Sequence, residues 1–188
     1  RRTIAIAGTH GKTTTASMTT DILCKAGWRP DSLVGGEVDG RACTAVGSGE
    51  WLVVEADEFA RSFHHLHPEL ALVTCVEAEH LDCYGGIAEV EKAFVEFLHR
   101  LPPEGTVLVG GDDLVGDGVV GQLGRNCLSV GFGKGCDYRI EDLCQEPQGS
   151  RFSLFYRDSP WAEFEIAVPG LHNVRNAAGA ASMAHHMG

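Results

Sequence analysis

Paired cysteines, an excess of basic charge and long apolar runs are all missing from this sequence. The seven cysteines (Cys24, Cys43, Cys75, Cys83, Cys127, Cys136, Cys144) are odd in number and form no C-x-x-C pair. That speaks against a zinc finger or a disulfide scaffold and fits a reduced, cytoplasmic protein. Lys and Arg total 15 against 26 Asp and Glu, a formal net charge of −11. Nucleic acid and anionic membrane are themselves polyanions, so both are disfavoured as partners. No apolar run approaches the ~20 residues of a membrane span. Arg1-Arg2 leads into a short β-like run, so no signal peptide is read. No internal repeat, low-complexity tract or linker is evident. The chain also lacks an initiator Met and begins just before a strand, so residues 1–188 read as a piece of something longer.

What is present is globular: 188 residues, 44% hydrophobic and 22% charged. A chain of this length buries roughly 70% of its unfolded surface and needs no staple to hold a core. Short continuous apolar runs at Thr3–Ala7, Trp51–Val54 and Leu70–Val76 read as neighbouring strands of a parallel sheet covered on both faces. Thr106–Val109 and Cys127–Val130 are further strand candidates. Helices are expected from Lys12 to about Ala26, from Ile87 to Leu101 before Pro102-Pro103, weakly across Leu114–Leu123, and from Asn173 to Met187. Tyr138–Leu143, Arg151–Tyr156 and Trp161–Val168 look like hairpin strands. The expected fold is one α/β domain: a mainly parallel sheet flanked by helices, a phosphate loop after the first strand, and a small antiparallel β meander near the C-terminus.

The chemistry begins at Gly8-Thr9-His10-Gly11-Lys12-Thr13-Thr14, a glycine-rich turn between strand and helix. Backbone N–H groups at the positive end of a helix accept phosphate oxygens there. Lys12 would set an ammonium against the β- and γ-phosphates, and the Thr13 hydroxyl would ligate Mg²⁺. The strict G-x-x-x-x-G-K-[ST] pattern fails because Ile6 stands at the first glycine, leaving the shorter G-T-x-G-K-T-T.

Ligands collect at the carboxyl ends of parallel strands. Glu55 ends the second run and is the expected Mg²⁺ partner of Thr13. Asp57 and Glu58 read as solvated loop charges. His80 ends the third run among Glu77, Glu79 and Asp82, where a His can ligate a second ion. The histidine-rich stretch Ser62–Pro68 reads as a surface loop, since it offers no fixed ligand geometry.

Together these motifs resemble the Mur ligase family, the ATP-dependent amino-acid ligases of peptidoglycan synthesis. Gly8–Thr14 is similar to its phosphate loop, and Glu55-Ala56-Asp57-Glu58 to the acidic motif of its alanine-adding branch. Thr74–Asp82, T-C-V-E-A-E-H-L-D, resembles T-N-[IV]-E-x-D-H-x-D. Gly170–Asn176 matches G-x-H-N-x-x-N, whose asparagines, here Asn173 and Asn176, lie near adenine. The resemblance spans the whole chain and implies the family's central ATP-binding domain, without the N-terminal UDP-binding and C-terminal ligase domains. It implies ATP and Mg²⁺ as cofactors, UDP-N-acetylmuramate and L-alanine as substrates, and an acyl-phosphate intermediate. Lys12, Glu55 and His80 would be catalytic, with Thr13, Glu55 and His80 holding metal. Gly8, Thr9, His10, Gly11, Lys12, Thr13, Thr14, Asn173 and Asn176 would bind the nucleotide. Two positions depart from the pattern. Cys75 replaces Asn and Glu79 replaces Asp, and both changes are expected to bear on the second metal site near His80.

Other readings stay open. The family's murein-tripeptide recycling branch shares G-T-H-G-K-T-T but tends to carry extra residues after the acidic motif, where this chain has only Phe59–His67 before Pro68. A GTPase switch lacks its N-K-x-D here, because no Asn is followed by Lys. A non-catalytic nucleotide-binding relative is the third.

Overall fold

The structure, a computed structural model, describes residues 1–188 apart from 36, 39, 40, 43, 81 and 126 and the side chains of 37, 38, 41 and 42. Cys43, and Leu81 of the Thr74–Asp82 motif, lie outside the described residues; the other six cysteines are free thiols. The first apolar run forms β1 (Arg2–Ala7), whose side chains alternate between two cores. Ile4 and Ile6 enter one, Ala5 and Ala7 the other, and all four are fully buried. Burial on both faces explains why the run is continuous rather than alternating.

After β1 come α1 (Lys12–Lys25), β2 (Asp31–Leu33) and a separate antiparallel pair, β3 (Glu37–Val38) with β4 (Arg41–Ala42). Then follow β5 (Trp51–Glu55), a 3₁₀ segment (Phe59–His65), β6 (Leu70–Val73), α2 (Ile87–Leu98), β7 (Thr106–Gly110), α3 (Asp117–Val120) and β8 (Cys127–Gly131). The chain continues through β9 (Tyr138–Glu146), β10 (Gly149–Tyr156), β11 (Ser159–Ile166) and α4 (Leu171–Met187). Nine strands form one sheet in the order β11-β10-β9-β8-β7-β6-β1-β5-β2. Pairing is parallel from β2 through to β9 and antiparallel across β9, β10 and β11. The three runs expected to be neighbours are neighbours: Ala5 of β1 pairs with Val54 of β5 and Ala71 of β6.

Helices α1 and α4 cover one face through Ala16, Leu23, Val174 and Ala178; α2 and α3 cover the other through Phe94, Phe97 and Val119. The Ala-rich α4 packs very closely, because a Cβ at Gly179 would lie 2.9 Å from Leu72 Cδ2. Several boundaries differ from the sequence reading. β6 stops at Val73, not Val76: Thr74 N–H makes the last ladder bond to β1 at Ala7 O (3.0 Å), and Val76 N–H then turns away to Leu114 O at 2.8 Å. Helix α3 shrinks to Asp117–Val120, since Gly116, Gly118 and Gly121 dilute it. Helix α2 ends at Leu98, three residues before Leu101. The three-residue β2 carries no strand signal of its own in the sequence, because Pro30 beside it reads as a helix stop. The meander is longer than expected and joins the main sheet through Val130 pairing with Tyr138.

Since Leu108 of β7 is fully buried in the α1–α4 core, Leu108→Ala is expected to cost about 2–5 kcal/mol in urea unfolding. Val46→Ala, at a position 89% exposed, is expected to stay within about 0.5 kcal/mol of the unsubstituted chain.

Candidate active site

The turn Gly8–Gly11 joins β1 to α1 in four residues, and two of them have no room for a side chain. Gly8 has φ 128°, and a Cβ there would lie 2.1 Å from Thr74 Oγ1. Gly11 is left-handed at φ 82°, and its Cβ would meet Asn176 Oδ1 at 2.5 Å. The turn is stitched to the segment leaving β6: Thr9 N–H donates to Cys75 O (2.9 Å), Thr74 Oγ1 to His10 O (2.6 Å), and Glu77 N–H to Thr9 Oγ1 (2.9 Å). Helix α1 then starts without a side-chain cap, and the N–H groups of Lys12, Thr13 and Thr14 find no partner among the described residues. Three free donors at the positive end of a helix fit an anion such as phosphate.

Around this terminus the predicted side chains converge. Thr13 Oγ1 donates to Glu55 Oε1 at 3.0 Å, and Glu55 Oε2 accepts Gly35 N–H at 2.9 Å. A hydroxyl and a carboxylate so placed are hard oxygen donors of the kind Mg²⁺ takes. Lys12 curls back, its Nζ 2.7 Å from Gly8 O and 2.9 and 3.2 Å from the two oxygens of Glu58. Glu58, read from sequence as solvated, is 2% exposed and is the counter-ion of Lys12. The reason lies just downstream. The backbone breaks into left-handed conformation at Ala60 and Arg61, and Phe63 enters the core beside Phe94 and Phe97. Tyr84 O–H also holds the Glu58 carbonyl at 2.5 Å. His80 Nε2 lies 3.7 Å from Glu58 Oε1, and Asp57, Glu58 and His80 can each point a ligand atom within 4.8 Å of the others. Asp57 stays exposed, as expected. His80 therefore joins a group built on Glu58, while Thr13 and Glu55 form the other oxygen pair.

The two departures in the Thr74–Asp82 motif face somewhere else. Cys75 Sγ accepts His10 N–H at 3.4 Å, and Glu79 Oε1 lies 3.3 Å from His10 Nε2, with Glu77 at 3.7 Å. Neither side chain belongs to the Asp57–Glu58–His80 group; both face His10. Burial pushes the Cys75 thiol above its usual pKa, so it remains protonated packing. In the histidine-rich stretch, His65 and His67 are exposed, whereas His64 stacks on Phe63 and lies 2.9 Å from Ala93 O. The first part of the stretch, Ser62–His65, is 3₁₀ helix pinned by the core residue Phe63, and the chain turns extended at Leu66.

A cavity of about 450 Å³ opens behind the turn, walled by His10, Thr74 and Cys75 on one side and by His172, Arg175 and Asn176 of α4 on the other. Asn176 is nearly buried there. Asn173 is not in the wall; its Nδ2 donates to Pro169 O at 2.8 Å. The sequence signal for the residues missed, His172 and Arg175, was helical spacing: 172, 175, 176 and 179 form one stripe, and 173 falls off it.

The buried Lys12–Glu58 pair makes a direct check. Glu58→Ala, which strands the ammonium, is expected to lower unfolding free energy by about 3 kcal/mol. Asp57→Ala at the exposed neighbour is expected to change it by less than about 0.5 kcal/mol.

Comparison with known proteins agrees with this architecture. The model of the Mur ligase middle domain matches residues 6–184. A UDP-N-acetylmuramate–L-alanine ligase from Xanthomonas campestris pv. campestris is 40% identical over 190 residues, covering 100% of this chain and 40% of the relative. The chain thus spans about two fifths of the length of the curated relatives it matches. Among solved structures, the UDP-N-acetylmuramate:L-alanyl-γ-D-glutamyl-meso-diaminopimelate ligase of Neisseria meningitides superposes with a TM-score of 0.84 at 23% identity, covering 99% of this chain and 61% of that one. The UDP-N-acetylmuramate-alanine ligase of Thermotoga maritima gives 0.81 at 24% identity, over 100% of this chain and 42% of that one. Through a family match over nearly all of its length, the chain belongs to the Mur ligase family.

Proposed function

We propose that residues 1–188 are the ATP-binding middle domain of a longer cytoplasmic ligase that joins L-alanine to UDP-N-acetylmuramate. The observation that carries this reading is the uncapped start of α1 with the Thr13–Glu55 pair directly beside it. The 40% identity to a UDP-N-acetylmuramate–L-alanine ligase favours alanine over a peptide as the incoming amine. No helix among the described residues is long and apolar enough to cross a membrane.

In this reading the substrate carboxylate attacks the γ-phosphorus of ATP, the bond to the bridging oxygen breaks, and ADP leaves. The amino group of L-alanine then attacks the acyl carbon, loses a proton and displaces inorganic phosphate, leaving the amide. The N–H groups of Lys12, Thr13 and Thr14 hold phosphate oxygens, with Gly8, Thr9, His10 and Gly11 shaping the turn. Thr13 and Glu55 hold Mg²⁺, which neutralises charge on the phosphates when bound. Lys12 exchanges Glu58 for a phosphoryl oxygen, so the ammonium moves between two anions without facing bare solvent. Glu58 and His80, with Asp57 at their edge, provide the position for a second ion near the substrate carboxylate. Asn176 reaches the nucleoside from the cavity wall.

In the full-length ligase, Lys12→Ala is expected to reduce alanine-dependent phosphate release by about a hundredfold or more with the fold intact. Glu55→Ala is expected to raise the Mg²⁺ concentration needed for half-maximal rate more than His80→Ala does, because Glu55 shares the ion that accompanies ATP. Near-normal turnover by folded Lys12→Ala, or the reverse metal ranking, contradicts the assignment.

A further inference from the structure

The group at Glu58 and His80 is assembled from two separate stretches of chain. Glu58 leads into the stretch that turns left-handed at Ala60 (φ 49°) and Arg61 (φ 57°). His80 lies beyond β6 and is itself left-handed at φ 53°. Such conformations are costly for residues other than glycine and persist where the surroundings hold them. Tyr84 is bonded to both stretches. Its O–H donates to Glu58 O at 2.5 Å, and its backbone N–H donates to His80 O at 3.0 Å. Among the described residues, no hydrogen bond other than Tyr84 O–H to Glu58 O joins the two stretches.

This clasp is itself fixed by packing. Tyr84 is 2% exposed and belongs to the core that holds Phe63, Val90 and Phe94, and the guanidinium carbon of Arg61 lies 5.7 Å from its ring centre. Burial pushes the phenol above its usual pKa, so the O–H stays a donor. At that depth the hydroxyl does not reach substrate, and it acts through Glu58. What depends on it is a separation: Glu58 Oε1 and His80 Nε2 lie 3.7 Å apart. Mg²⁺ demands near-ideal octahedral ligation at about 2.0–2.1 Å, and a drift of about 0.5 Å in the ligand atoms is enough to degrade such a site. Thr13 and Glu55 bond to each other and to Gly35, outside the clasp, so their ion does not depend on it.

We propose that Tyr84 is a positioning residue for the second ion: by clasping the stretches that carry Glu58 and His80, it fixes the separation of their ligand atoms. This rests on the second-ion position proposed above and adds to it a residue that touches neither ion nor substrate.

The test is Mn²⁺ binding to the full-length ligase in the presence of a non-hydrolysable ATP analogue, read from the paramagnetic resonance of the free ion. The unsubstituted ligase is expected to hold two ions per chain, and His80→Ala only one. Tyr84→Phe keeps the ring and the backbone N–H and removes the hydroxyl alone. It is expected to weaken the second ion by about tenfold while leaving the first ion and the analogue within about twofold. 4-Aminophenylalanine at this position, a weaker donor on the same ring, is expected to fall between the two, and it carries the test if Tyr84→Phe does not fold. Two ions held with unchanged affinity in the folded variant, or equal weakening of both ions, overturns the inference alone. A single ion in the unsubstituted ligase, or two in His80→Ala, overturns the second-ion reading and the inference with it.

Discussion

The close approach of the turn after β1 to its neighbours organises the whole site. Thr74 stands where a side chain at Gly8 would begin, and Asn176 where one at Gly11 would begin. Only glycine at those two positions lets the turn bond to the segment leaving β6 and lie against α4. Three otherwise independent elements therefore meet at one point: the uncapped start of α1, the Thr74–Glu77 strip, and the 172–175–176–179 stripe of α4. The sheet order completes the arrangement. With β1 between β5 and β6, Glu55 arrives on one side of the turn and Thr74 on the other.

Charge is managed locally in a chain whose net charge is −11. Lys12 is mostly buried and has its own carboxylate, Glu58, which the chain brings inward by breaking its backbone at Ala60 and Arg61. That arrangement holds the ammonium close to the turn when no phosphate is there. It also places Glu58 beside His80, so one buried carboxylate serves both a cation of the chain and the position proposed for a second ion. The cavity's far end repeats the scheme with Arg175 and Asp112.

Much of this was legible in the sequence. The continuous apolar runs announced parallel strands, and the G-T-x-G-K-T-T turn placed Lys12 and Thr13 because both lie within a few residues of a strand end. Glu55 was legible for the same reason. Glu58 was not, because its burial depends on Phe63 entering a core made by α2, a contact no local pattern encodes. Cys75 and Glu79 were recognisable as departures, but their partner, His10, lies 65 residues or more away in sequence and is brought to them only by the pairing of β1 with β6. Asn173 and Asn176 share one motif in the sequence, although the helical phase separates them and puts Arg175 beside Asn176 in the wall. The ladder exit after Thr74 is not legible either, since the Thr74 hydroxyl bonds to the turn and Val76 N–H to Leu114 O rather than to β1.

The most direct measurement is a crystal structure of the full-length ligase with Mg²⁺ and a non-hydrolysable ATP analogue. The account predicts phosphate oxygens on the N–H groups of Lys12, Thr13 and Thr14, Lys12 Nζ moved from Glu58 onto the γ-phosphate, and the metal between Thr13 and Glu55. A nucleotide bound elsewhere, with the Lys12–Glu58 pair intact and the start of α1 empty, would contradict it.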